Sequence, residues 1–259
     1  MGFIRLEQHD GVTVVKLEKG IINAINLELI QEVGDVLQWI KDDAGVCGLV
    51  LTSANDKFFS IGFDLPEIYP LPPEEFAAFF RAYNLLCLDL YTFPKPVVSA
   101  ITGHATAGGC IMGLCTDYRF MAAGRALMGM NESKLGVPIT YLADGILRQL
   151  VGERRARDAI FFGELYGPEE ALKMGMVDGV FPLEEVVPEA IIKVGDLSEI
   201  SLHAFAVNKD FRVRGLAAQV ISHLEEDEQS FMEQWYAPMA RQRLKEVMGQ
   251  YAPRDEKDG

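Results

Sequence analysis

Basic residues are scarce in this chain. Its 259 residues hold 24 Lys and Arg against 38 Asp and Glu, a formal charge of −14. Nucleic acid is therefore not an expected partner, because phosphate backbones are held by a basic face. An anionic small molecule would have to be held by backbone N–H groups and a few local cations. Cysteine and histidine are equally sparse, with four of each. Cys47, Cys87, Cys110 and Cys115 lie in apolar runs, and the step from Cys110 to Cys115 is no zinc spacing. They read as core thiols in a reducing compartment. The histidines are scattered, so no metal is expected. No apolar run approaches the roughly 18 residues of a membrane span, and no membrane is expected. The chain enters strand alternation at once, through Phe3, Ile4 and Leu6, without the basic and apolar regions of a secretory signal. Leu6 stands where a myristoylation signal needs Ser or Thr. Glu256-Lys257-Asp258-Gly259 is neither a peroxisomal nor a reticulum-retention signal. A cytoplasmic location is expected, or an organelle matrix if a transit peptide has been removed.

What is present is an apolar fraction of 49%, enough for one large core. Up to about residue 195, strand and helix patterns alternate, which predicts an α/β fold. Strands are expected at Phe3–Gln8, Val12–Leu17, Cys47–Thr52, Val97–Ile101 and Tyr118–Ala122. Asn26 is placed to cap a helix bearing Leu27, Ile30, Val33, Leu37 and Ile40. Glu74–Tyr91 reads as a long helix, stopped by Phe93-Pro94-Lys95-Pro96. Helical segments follow at Tyr141–Val151 and Glu153–Phe162, and Gly167-Pro168-Glu169-Glu170 opens a short one. After Pro182 the strand signals end, and Ser198–Gln250 is almost wholly helical. Two regions are expected: a core over 1–197 and a helical region over 198–259. In the latter, Phe231, Met232, Trp235, Tyr236 and Met239 are too apolar for a free surface, which points to oligomerisation. A solvated helical tail is the alternative.

Three short stretches carry candidate chemistry. In Phe58-Phe59-Ser60-Ile61-Gly62-Phe63-Asp64, Gly62 permits a sharp bend and the N–H of Phe63 is a natural donor. In Gly103-His104-Ala105-Thr106-Ala107-Gly108-Gly109-Cys110, the glycines sit where a strand passes into a helix, whose start has free N–H groups. Neither a phosphate loop nor a dinucleotide fingerprint matches there. Glu132 follows a mostly apolar stretch, Ala126–Met130, and burial would raise its pKa toward that of a useful base. Each stretch alone also reads as an ordinary turn or a helix-start carboxylate. Together they can supply two N–H donors for one oxygen and a base beside the adjacent carbon, the equipment for holding an enolate.

The combination resembles the crotonase (enoyl-CoA hydratase/isomerase) superfamily, from Phe3 to about Tyr251. Asn23-Ala24-Ile25-Asn26 and Asp117-Tyr118-Arg119 match further segments of that family. The resemblance implies a crotonase-type ββα spiral with a helical C-terminal trimerisation region, as a homotrimer or dimer of trimers. It makes Phe63 and Gly108 the oxyanion-hole donors and Glu132 the base. It places Ala24, Ser60, Ile61, Gly62, Asp64, Ile111 and Asn131 against substrate. Hydratases carry a Glu where this chain has Ile111, and dienoyl-CoA isomerases an Asp where it has Thr140. One carboxylate thus remains. That pattern, with Ala107-Gly108-Gly109-Cys110, Gly129–Gly136 and the aromatic helix Phe76–Tyr91, resembles mitochondrial-type Δ3,Δ2-enoyl-CoA isomerases of fatty-acid β-oxidation. The implied substrate is a 3-enoyl-CoA, with CoA bound as part of it and no separate cofactor. Pro66 replaces a CoA-contacting Lys of hydratases, leaving Lys57 or a C-terminal Arg or Lys for the phosphates. The alternatives are a hydratase or another thioester-enolate enzyme, for which Tyr141 could supply a hydroxyl, and an acyl-CoA-binding pseudoenzyme.

Overall fold

The computed structural model describes residues 2–199 and 201–251; the Glu256–Gly259 string lies outside them. Of the first two strands, the second runs over the range expected and the first lies one residue later than expected. β1 (Ile4–His9) and β2 (Val12–Leu17) form an antiparallel hairpin. Asp10 and Gly11 join them with φ of 47° and 85°, the Asp-Gly turn whose twist suits the strands. The chain continues through α1 (Leu27–Asp42), β3 (Gly48–Ser53), β4 (Phe58–Ser60), α2 (Leu65–Ile68), α3 (Pro73–Thr92), β5 (Val97–Ile101), β6 (His104–Thr106), α4 (Gly108–Leu114) and β7 (Tyr118–Ala122). Then come β8 (Met128–Gly129), α5 (Glu132–Leu135), α6 (Tyr141–Val151), α7 (Glu153–Phe162), α8 (Pro168–Met174), β9 (Gly179–Phe181), α9 (Leu183–Glu199), α10 (Leu202–Trp235) and α11 (Pro238–Tyr251). Asn26 caps α1 as expected, its Oδ1 accepting the N–H of Leu29 at 3.0 Å.

The main sheet has the order β1-β2-β3-β5-β7-β9, parallel after the first pair. Its two faces separate by residue parity. Val12, Val14, Val50, Val98, Ala100 and Phe120 pack beneath Val186, Ala190 and Val194 of α9. Val15, Leu17, Leu49, Leu51 and Val97 enter the larger core with α1 and α3. Central strands are buried on both faces, as parallel sheets require. Where α9 crosses β3, a Cβ at Gly48 would come within 2.6 Å of Val194 and of the Pro96 carbonyl, so the contact depends on glycine there.

A second sheet, β4-β6-β8, is parallel and very short. Its strands have three, three and two residues, too few for a period-two pattern to show in sequence. It is the element that organises the site.

The helical region differs from two expectations. The boundary expected after residue 197 falls inside α9, which continues to Glu199. Beyond it, α10 lies against α3 and shares the main core through Leu216, Ala217, Val220, Phe231 and Trp235. Trp235 stacks on Phe76 with ring centroids 4.3 Å apart, and Phe231 stacks on Phe80 at 4.0 Å. The aromatic cluster taken to seek a second chain therefore finds its partners within its own, and only Met239 of that group is well exposed. Burial of each such aromatic contributes on the order of 1.5–3 kcal/mol, which is reason enough for the cluster. No helix among the described residues is long and apolar enough to cross a membrane.

Candidate active site

The three chemical stretches emerge side by side from the short parallel sheet. β4 leads into Ile61-Gly62-Phe63, β6 into Ala107-Gly108, and β8 into Met130-Asn131-Glu132. Pairing of Ser60 with Ala105 and of Thr106 with Gly129 sets the three exits level, so residues far apart in sequence reach one place.

The first exit is latched from behind by Asn23, which is fully buried. Its amide donates to Ser53 Oγ at 2.8 Å and to the Phe59 carbonyl at 3.0 Å, while its Oδ1 accepts the Lys19 N–H at 2.9 Å. Asn23 has φ of 46°, a conformation asparagine tolerates better than most residues. Two residues on, Ile25 donates to the Gly62 carbonyl and accepts from the Asp64 N–H, both at 2.8 Å. These bonds flank Phe63 and direct its own N–H away from Ile25. Gly62 has φ of 93°, and a Cβ there would stand 3.0 Å from the amide nitrogen of Gly108. The two turns thus touch, and glycine is what lets them.

At the second exit, the Ala107 N–H donates to the Gly129 carbonyl at 3.0 Å. The next amide, Gly108, opens α4 and has no helical carbonyl behind it. Among the described residues, the N–H groups of Phe63 and Gly108 have no protein acceptor. Ala107 has φ of 49°, unusual for a residue with a Cβ, and such backbone strain concentrates at functional sites. A Cβ at Gly109 would lie 2.2 Å from the Ser60 carbonyl, so close approach of the turns forbids a side chain there. Tyr83 of α3, fully buried, binds both turns. Its hydroxyl donates to the Gly108 carbonyl at 2.7 Å, and its ring meets that of Phe63 edge-on at 4.8 Å.

The third exit delivers Glu132 at the first position of α5. The side chain is buried, and its Oε2 finds no hydrogen-bond partner among the described residues. Burial raises its pKa to about 7, against a smaller opposing contribution from its own backbone N–H. The neighbouring Asn131 also keeps a buried, unpartnered Oδ1.

A cavity of about 190 Å³ joins these parts. Ala24, Ile61, Phe63, Asp64, Gly108, Ile111, Asn131 and Glu132 all line it. Asp64 is paired with Lys19. Ser60 and Gly62, expected against substrate, lie behind the wall. Ser60 Oγ donates to the Asn23 carbonyl at 2.8 Å and accepts the Gly62 N–H at 3.2 Å, so both residues shape the turn. Ile111 on α4 and Thr140 face the cavity, and Thr140 also caps α6. Tyr141 does not line this cavity; its hydroxyl lies 3.4 Å from Gln219 and its ring stacks near His223. Lys57 stands over the Phe58 ring.

The opposite end of the cavity was not foreseen from sequence. Phe80 of α3, Phe231 and Trp235 of α10, and Leu244, Val247 and Met248 of α11 line it. The aromatic density of residues 76–91 is visible in sequence, but no spacing shows which rings face a cavity and which face α10. The site therefore has a polar end, with two free N–H groups, the unpaired carboxyl of Glu132 and the Lys19-paired Asp64, and an apolar end. It can polarise a carbonyl oxygen and move a proton at an adjacent carbon.

Comparison with known proteins identifies the family. The sequence pattern of the enoyl-CoA hydratase/isomerase family matches residues 7–256. The human enoyl-CoA delta isomerase 1, mitochondrial, is 33% identical over 247 residues, covering 92% of this chain and 82% of its own. A crotonyl-CoA hydratase from Syntrophomonas wolfei is 29% identical, covering 72% of each chain. The crystal structure of human mitochondrial Δ3,Δ2-enoyl-CoA isomerase superposes with a TM-score of 0.93 at 30% identity, covering 96% of this chain and 98% of that one. Fold, matched residues and relatives agree that this chain is an enzyme of the crotonase-type enoyl-CoA hydratase/isomerase family.

Proposed function

We propose that the enzyme moves the double bond of 3-enoyl-CoA thioesters to give 2-enoyl-CoA, as a step of fatty-acid oxidation. The observation that carries this reading is one cavity carboxyl without a cation beside it among the described residues, since Asp64, which also lines the cavity, is paired with Lys19. Glu132 is buried, with a pKa of about 7, and the positions where relatives with a second acid would carry it are Ile111 and Thr140. In this reading the thioester oxygen accepts hydrogen bonds from the N–H groups of Phe63 and Gly108. Ionised Glu132 takes a proton from C2, and the electron pair of that C–H bond delocalises through the carbonyl and the C3–C4 double bond. Negative charge on the oxygen is met by donors already in place, so little reorganisation is needed. Protonated Glu132 then returns the proton to C4, leaving the double bond between C2 and C3. No metal or redox group enters this chemistry. Ile111 offers no means of activating water, which disfavours hydration of the product.

The test is a product analysis. Purified enzyme supplied separately with 3-enoyl-, 2-enoyl- and malonyl-type CoA thioesters should convert the first to the conjugated 2-enoyl ester with little 3-hydroxyacyl-CoA. Efficient hydration of 2-enoyl-CoA would make the chain a hydratase. Binding without turnover of any of them would make it an acyl-CoA-binding pseudoenzyme.

A further inference from the structure

We propose that the stacked rings of Phe80 and Phe231 form a wall that sets the longest acyl chain the enzyme accepts, with a second cavity behind it into which a longer hydrocarbon tail extends once the wall is opened. This rests on the reading of the first cavity as an acyl-CoA site. The second cavity measures about 240 Å³ against about 190 Å³ for the first. Both are lined by Phe80, Phe231, Pro138, Ile139 and Thr140, so the two cavities share this wall. The two rings lie 4.0 Å apart at 22°, one carried by α3 and the other by α10. Both are buried, at 2% and 4% exposure, and each is held by Phe76, whose ring lies 6.1 Å from Phe80 and 6.2 Å from Phe231. The wall is therefore a braced aromatic stack.

In this proposal the tail runs from the reacting groups toward the shared wall. The reacting end of the first cavity is fixed by Phe63, Gly108 and Glu132, and the rings stand among its apolar residues with Trp235 and Leu244. Behind the wall, Leu142, Val220 and Leu224 continue that apolar surface. Asp144 and Asp227 also line this second cavity. Arg148 pairs with Asp144 at 2.9 Å. The ligand class for the second cavity is an uncharged, methyl-ended hydrocarbon, since a carboxylate-tipped tail would meet two acids.

Binding of saturated acyl-CoA thioesters from six to sixteen carbons, followed by calorimetry, tests the wall without relying on turnover. Wild-type affinity should rise with chain length and then level off. In Phe231→Ala the rise should continue, improving the ratio of the longest to the shortest ligand by about tenfold or more, the value of about two newly buried methylenes. Adding Leu224→Trp, which enlarges a residue that lines the second cavity and not the first, should cancel that gain. If Phe231→Ala fails to fold by circular dichroism, Phe231→Leu replaces it, with a smaller gain in the same direction. A chain-length profile parallel to wild type in the folded variant, or a gain that survives Leu224→Trp, overturns the proposal. The isomerase reading is judged separately by wild-type turnover of 3-enoyl-CoA. Failure of turnover with an intact binding profile removes that reading and leaves the wall standing, whereas failure of wild type to bind any acyl-CoA removes both.

Discussion

The two ends of the cavity are built in different ways. The reacting end comes from backbone: two N–H groups and the first residue of a short helix, set level by three parallel strands. The far end comes from side chains on α3, α10 and α11, brought together by helix packing. Backbone geometry is fixed by hydrogen bonds and glycine, and it tolerates almost no change at Gly62 and Gly109. Packed side chains exchange volume more freely, since hydrophobic swaps that conserve volume usually cost little. The reacting end should accordingly govern the chemical step, and the far end binding.

Four expectations would break or sharpen that contrast. The largest effect belongs to Glu132→Gln. It keeps the shape of the side chain and removes the base, so turnover should fall by about 10²–10⁴ while CoA-ester binding persists. Steady-state kinetics together with calorimetry separate the two quantities, and a near-native rate would show that Glu132 is not the base. Next comes Gly108→Pro, which deletes one donor. A loss of about 10²–10³ in turnover is expected if that N–H holds the oxyanion. Proline is acceptable at a helix start, and circular dichroism would check the fold, because a Cβ at Gly108 would stand 3.1 Å from the Tyr83 hydroxyl. A folded and fully active variant would place the oxyanion elsewhere.

The third expectation concerns pH. Burial raises Glu132 from 4.5 to about 7, so between those values the folded enzyme binds more protons at this site than the unfolded chain. Stability from this group is complete below about pH 4.5 and is lost as pH rises through about 7. The loss is on the order of 3 kcal/mol at 1.36 kcal/mol per pKa unit. Glu132→Gln should lose less stability than wild type across that window in parallel thermal melts, and coincident pH profiles would refute the burial penalty. Turnover of wild type should rise through about pH 7, where the carboxylate forms. The smallest effect is expected of Met248→Ala, in the half-buried lining contributed by α11. It should raise KM a few-fold with kcat preserved, as lost uniform binding does. A comparable fall in kcat would mean that α11 also positions the reacting end, and the division between the two ends would fail.

What could be read in the sequence divides along the same line. β2, β5 and β7, together with α6 and α7, run over the residue ranges expected, because each is long enough for a period or a capping residue to show. β4, β6 and β8 could not be found that way. Ser60 and Gly62 read as substrate contacts because they stand in the matching stretch, yet their hydrogen bonds make them the frame of the turn. Trp235 and Phe231 read as an interface because their apolar character was plain and their partners on α3 lay more than a hundred residues away.

By itself, the sequence determined the ranges of β2, β5 and β7, the cap of α1, the glycines that allow the turns to bend, and an acid, Glu132, set after an apolar stretch. These are local matters of steric freedom, periodicity and residue chemistry. Only the tertiary structure decided that three exits stand level, that Tyr83 joins two of them, that Glu132 is buried enough to titrate near neutrality, and that α10 and α11 close the apolar end. Those outcomes depend on which surfaces meet across long sequence separations. Burial and close approach exist only once the chain has packed.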